Sequence, residues 1–114
     1  MPFIHIQSNL SLNEAEKNNC LRTLSAAVAE LLEKKEDVVM TAWTMSKMTM
    51  GGTDSPTALV ELRAIRLPEE QLETLSKELT ERLNLATSII TDRIFINFID
   101  VAPEKWASNG KTFT

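Results

Sequence analysis

Asn97 is an amide set within a strongly apolar run, Phe95-Ile-Asn-Phe-Ile-Asp100, and it is the first residue of this chain whose type and setting could do chemistry. With Ile94, the run puts Ile94, Ile96 and Phe98 on one face and Phe95, Asn97 and Ile99 on the other, the pattern of a strand buried on both sides. An amide there must either be satisfied by neighbouring backbone or be turned toward a cavity where a polar ligand completes it. Other candidates are few. Cys20 is the only cysteine, so the chain can form neither an internal disulfide nor a cysteine-based metal site. Its place in a helical pattern makes it a small buried hydrophobe rather than a nucleophile. His5 is the only histidine, and no partners at metal-ligand spacing accompany it.

The elements that must position these residues repeat in order. Pro2 to Gln7 alternates Ile4 and Ile6 against Phe3, His5 and Gln7, and a proline can open a strand because its missing N–H is harmless there. Ser11-Leu-Asn-Glu14 has the spacing of a capping box, which predicts a helix start. Leu21, Leu24, Val28, Leu31 and Leu32 then keep one apolar stripe up to Glu33-Lys-Lys-Glu36, whose cations suit a helix end. Val38 to Met45 reads as a second strand. After Gly51-Gly-Thr-Asp-Ser-Pro56, a strand from Thr57 to Ile65 alternates Ala58, Val60, Leu62 and Ala64 against Leu59, Glu61 and Arg63. Leu67 and Pro68 mark a second helix with the stripe Leu72, Leu75, Leu79 and Leu83, flanked by Glu73–Lys77 and Glu78–Arg82 at i,i+4. The strand carrying Asn97 follows.

The pattern is thus β-α-β twice, a single α/β (α+β) domain over residues 1–114. Right-handed crossovers would fold it into a mixed sheet with both helices on one face. The other face would carry Phe3, Trp43 or its neighbours, Phe95 and Ile99. That is too apolar for water, so association with further copies of the chain is expected.

Composition narrows the partners. A chain of 114 residues supports one modest core, and a net charge of −4 with no basic stripe argues against nucleic acid and anionic membranes. Neither a basic-then-apolar leader nor an apolar run of membrane-spanning length is visible. The expectation is a cytoplasmic protein, with any export by a non-classical route.

Four blocks in order, Met1-Pro-Phe-Ile-His-Ile-Gln-Ser-Asn9, Met50-Gly-Gly-Thr-Asp-Ser-Pro-Thr-Ala58, Asp92-Arg-Ile-Phe-Ile-Asn-Phe-Ile-Asp100 and Asn109-Gly-Lys-Thr-Phe113, together resemble the macrophage migration inhibitory factor branch of the tautomerase superfamily. The resemblance spans essentially the whole chain. It implies a homotrimer of β-α-β-β-α-β subunits with active sites between neighbours, no cofactor, no metal, and small keto/enol substrates. On removal of Met1, Pro2 would present a secondary amine in a rigid ring. Partial desolvation beside a cation would bring that amine into the range of a general base near neutral pH. With Met1 attached, the nitrogen of Pro2 is an amide and cannot serve. Without the resemblance, Pro2 reads simply as a strand-opening residue.

The resemblance also implies binding roles. Lys34 is similar to the lysine that holds a substrate carboxylate or oxyanion, although an ungapped register brings Glu33 to the same place; taken alone, Lys34 reads equally as a solvated helix-end charge. Ile65 is similar to the residue whose backbone meets substrate, and Asn97 to a pocket asparagine supplied by the adjacent subunit. Phe95 stands where vertebrate members have tyrosine, Trp106 where the family has valine or phenylalanine, and Ser108 where it has tryptophan. Thr57 and Val60 occupy the places of a cysteine pair, which removes any thiol–disulfide activity. The expected function is keto–enol tautomerisation of phenylpyruvate-like or dopachrome-like substrates, with Pro2 as base. The other reading is a cytokine-like secreted binding protein with residual catalysis.

Overall fold

The structure is a computed structural model that describes residues 1–114. Strand β1 (Phe3–Ser8) alternates as its sequence requires, with Ile4, Ile6 and Ser8 buried and Phe3, His5 and Gln7 half-buried on the other side. It leads to helix α1 (Glu14–Leu31), strand β2 (Met40–Met45), strand β3 (Ala58–Ile65), helix α2 (Leu72–Thr87) and strand β4 (Ile94–Val101). A short hairpin, β5 (Ala107–Ser108) and β6 (Lys111–Thr112), ends the chain.

The sheet order is β2-β1-β3-β4. β1 runs parallel to β2, β3 runs parallel to β4, and β1 meets β3 antiparallel. Each β-α-β unit therefore supplies one parallel pair, and the two units join at the centre of a mixed sheet. The core lies on one face only. Ile4, Ile6, Val60 and Leu62 pack there with Leu24 and Val28 of α1 and Leu75, Leu79 and Leu83 of α2, all at 2% exposure or less.

Three local expectations are corrected, and one left open between Trp43 and its neighbours is resolved. The helix-starting box is Asn13 with Glu16, not Ser11 with Glu14: Asn13 Oδ1 accepts from the Glu16 amide at 2.8 Å and Glu16 Oε1 accepts from the Asn13 amide at 2.9 Å. Asparagine caps as well as serine, and starting two residues later leaves Ser11 and Leu12 to link α1 to β1. Val38 does not begin β2. It closes a 3-10 turn over Glu36–Val38, with the Val39 amide donating to Glu36 O at 3.0 Å.

Trp43 does not lie on the uncovered face. It pairs in register with Ile6 and packs against the core, leaving its neighbours Ala42 and Thr44 opposite His5 and Gln7. Its indole Nε1 is the buried polar side-chain atom that finds no partner. Finally, β4 is covered on one side only. Ile94 is buried and Ile96 and Phe98 pack on the core, whereas Phe95 is 60% exposed and Asn97 is exposed. The uncovered face also carries a polar patch: His5 Nε2 lies 2.8 Å from Thr44 Oγ1, its Nδ1 lies 3.6 Å from Glu61, and Arg63 lies 3.8 Å from the same carboxylate.

Candidate active site

The start of β1 fixes the N-terminus. Pro2 is buried, and its carbonyl accepts from the Met40 amide at 3.0 Å, tying the first residues to the edge strand β2. The terminal amine, carried here by Met1, is held below its ordinary value, first by burial and second by the positive charge of Lys34. An amine in this place is thus shifted toward the neutral, proton-accepting form.

Lys34 reaches that position because of how α1 ends. The Lys34 amide donates to Ala29 O at 2.9 Å and the Glu33 amide to Glu30 O at 3.3 Å. This is the Schellman pairing, with Glu33 in the left-handed conformation at φ 54°. The reversal leaves Glu33 exposed and Lys34 half-buried, so Lys34, not Glu33, takes the place beside the terminal amine.

The far end of β3 and the chain that follows β4 complete this corner. Ile65 is 5% exposed and pairs with Val101 at the end of β4. A turn over Pro103–Lys105 then delivers Trp106, whose carbonyl accepts from the Phe113 amide at 3.1 Å. Phe113 is brought back by the β5–β6 hairpin, where Asn109 (φ 52°) and Gly110 (φ 78°) supply the two positive φ angles of its tight turn. Phe3, Arg63, Val101, Lys105 and Trp106 line an open hollow of about 310 Å³ at this end of the sheet.

Pro2, Lys34, Ile65 and Trp106 therefore converge on one end of the sheet. Phe95 and Asn97 do not. Pro2 lies one step beyond the Phe3–Arg63 pair, level with Ala64 and Asp100. At about 3.3 Å per residue and about 4.8 Å between strands, Asn97 sits roughly 14 Å and Phe95 roughly 19 Å from Pro2 of the same chain. Phe95 instead borders a second hollow, of about 200 Å³, with Met48, Met50, Thr57 and Leu59 among its walls.

Arg63, Lys105, Val101 and Phe3 are cavity residues that the sequence does not single out as binding residues. The signal for Arg63 and Phe3 is their shared phase, opposite Leu62 and Ile4, once β1 and β3 are paired. No group of three or more His, Cys, Asp or Glu side chains could hold a metal ion, and no helix is long and apolar enough to cross a membrane. Burial pushes the Cys20 thiol up to about 11, which keeps it protonated at neutral pH. Thr57 Oγ1 donates to Arg93 O at 3.0 Å and Val60 lies in the core, so no thiol chemistry arises at those positions.

A mixed sheet of two paired β-α-β units backed by two helices is the fold of MIF-like, tautomerase-type proteins. The family description for macrophage migration inhibitory factor (MIF) matches residues 1–114, and the chain belongs to that family. It is 29% identical over 120 residues to the D-dopachrome decarboxylase-B of Xenopus laevis, covering 100% of this chain and 98% of that protein. It is also 29% identical over 119 residues to a macrophage migration inhibitory factor homolog of Brugia malayi, covering 99% of each. The crystal structure of the homologue from Prochlorococcus marinus superposes with a TM-score of 0.91 at 34% identity, over 98% of this chain and 99% of that one. Family membership and these relatives establish a MIF-like, tautomerase-type isomerase.

Proposed function

We propose that this protein interconverts the keto and enol forms of phenylpyruvate-like or dopachrome-like substrates, using Pro2 as the general base once Met1 has been removed. The observation that carries this reading is the terminal amine of Met1, one residue before Pro2, held below its ordinary value by burial and by Lys34, at the end of the sheet where Phe3 and Trp106 line a hollow. A secondary amine in that setting takes a proton from the carbon next to the ketone. The C–H electron pair becomes the C=C bond of the enol, and the carbonyl oxygen receives a proton in return. Nothing is oxidised or reduced. Lys34 holds the carboxylate or the developing oxyanion, and the backbone at Ile65 meets the substrate from the side.

The separation of Phe95 and Asn97 from their own Pro2 supports the second half of the proposal: a neighbouring copy supplies both. Three copies would cover the apolar positions of the open sheet face, Phe3, Phe95 and Ile99, and satisfy the edges at β2 and β4. Asn97 would then orient the end of the substrate away from Lys34.

The test joins intact mass, light scattering and a phenylpyruvate tautomerase assay on one sample. Protein lacking Met1 should be active and trimeric, and protein retaining Met1 should be folded but inactive. Pro2→Gly should lower the rate by at least about tenfold, equivalent to about 1.4 kcal/mol. Unchanged activity in Pro2→Gly would remove Pro2 as the base, and a monomer at micromolar concentration would remove the shared site.

A further inference from the structure

The end of the sheet that holds the N-terminus carries cations in two places, and Lys34, beside the terminal amine, accounts for one. The other is the pair Arg63 and Lys105, both lining the cavity whose apolar walls are Phe3, Val101 and Trp106. We infer that this second pole selects 2-oxo acids whose far, planar end carries a second negative charge, so that the preferred substrate is a dianion held at both ends. The inference rests on the tautomerase reading of the same site.

The geometry favours this over a neutral ring alone. Arg63 stands on β3 in register with Phe3, one residue from Pro2 in the chain, and both line the cavity. Lys105 approaches from the turn after β4, and no carboxylate lies within 4 Å of it. A planar group bound among Phe3, Val101 and Trp106 therefore shares its cavity with two cations. Arg63 has one competitor, Glu61, at 3.8 Å. That contact is long for a hydrogen-bonded pair, and Glu61 is shared with His5 at 3.6 Å, which leaves most of the guanidinium's donors for a ligand. A neutral ring gains at most a cation–π contact from these two cations, whereas a carboxylate gains charge-assisted hydrogen bonds from both.

The experiment compares kcat/KM for 4-carboxyphenylpyruvate and 4-methylphenylpyruvate, which share shape but differ in the second charge, with phenylpyruvate as the common reference. The Met1-free protein should favour the carboxylated compound by on the order of tenfold or more. Arg63→Gln and Lys105→Gln should each reduce that ratio severalfold. Glu61→Gln, which frees Arg63, should raise it. A wild-type ratio near one, or variants that leave the ratio unmoved, would overturn the inference while leaving the tautomerase reading intact. If no compound is turned over, the tautomerase reading fails instead. Calorimetric binding of the same two compounds then decides the subsite independently: it stands if the carboxylated compound binds more tightly and Lys105→Gln abolishes the difference, and falls otherwise.

Discussion

Asn9 and Arg93 meet on one carbonyl: the Asn9 amide donates to Ser55 O at 3.2 Å and the Arg93 guanidinium donates to it at 3.1 Å. Asn9 also donates to Met48 O and Asp54 O and accepts from the Thr57 amide at 2.9 Å, while Arg93 donates to Met50, Thr53 and Pro56 carbonyls. Two side chains distant in sequence but brought to the same end of the sheet thus hold the loop between β2 and β3, adding to its internal Met50–Thr53 pairing. This loop walls the hollow beside Phe95, so the clamp is what makes that part of the surface a fixed shape.

Asn9→Ala should therefore cost about 1–3 kcal/mol, chiefly because the Thr57 amide and several loop carbonyls lose their partners. Arg93→Ala should cost a similar amount. The double variant should cost less than the sum, since both residues hold one loop. Denaturant unfolding of the three variants checks this, and simple additivity would show that the two contacts act independently.

The two β-α-β units are legible in the sequence because their signals are local. Ile4 and Ile6 alternate, and Leu75, Leu79 and Leu83 keep helical spacing against a polar background. β2 is different. Met40-Thr-Ala-Trp-Thr-Met45 has apolar residues in both phases, so only its pairing with β1 decides that Trp43 joins Ile6 on the core face. The run around Asn97 reads as doubly buried because Phe95 and Ile99 are apolar, but apolarity does not say which neighbour supplies the cover. The N-terminal end of the site is legible only through the resemblance of whole blocks. Arg63 and Lys105 escape it because their meeting with Phe3 and Trp106 depends on an antiparallel pairing and a terminal hairpin, neither of which leaves a local pattern around those residues.

Glu33 closes α1 in a conformation that glycine adopts without steric cost, at φ 54°. Glu33→Gly should stabilise the protein by about 0.5–1 kcal/mol, the relief of left-handed strain exceeding the added freedom of the unfolded chain. Thermal melting measures it. A lowered melting temperature would mean that the Glu33 side chain makes a stabilising contact outweighing its backbone strain.

Cys20 predicts a pH dependence whose sign is fixed. The thiol is fully buried, and its pKa rises from 9.0 to about 11 through loss of solvent. Below pH 9 both folded and unfolded chains hold the proton and its contribution is intact. Between 9 and 11 the unfolded chain releases the proton while the folded chain retains it, so stability falls by about 2–3 kcal/mol across that window. Cys20→Ala abolishes this part of the slope. Unfolding free energies of both proteins near pH 8.5 and pH 10.5 provide the check: the advantage of wild type over the variant should shrink by about 1.5–2 kcal/mol between them, and a constant difference would show that the thiol titrates alike in both states.

Phe95 gives the sharpest test of where the site lies. Its ring is 60% exposed on the open face, two residues from Asn97 on the same side of β4. A hydroxyl added there meets solvent or a neighbouring copy, not the core of its own chain, so Phe95→Tyr should leave the fold's own stability within about 0.5 kcal/mol of wild type. If the ring of one copy walls the site of the next, the new donor reaches a bound oxygen. That hydrogen bond contributes about 0.5–1.5 kcal/mol, or up to about 3 kcal/mol when the oxygen is charged, and KM for carboxylate-bearing substrates should fall severalfold or more. Measuring KM, melting temperature and subunit number on the one variant separates the outcomes. A lower KM with unchanged melting places Phe95 in the catalytic cavity. A lower melting temperature with unchanged KM would instead mean that the phenol is trapped unpaired in a subunit contact, and would take both Phe95 and its strand neighbour Asn97 out of the site.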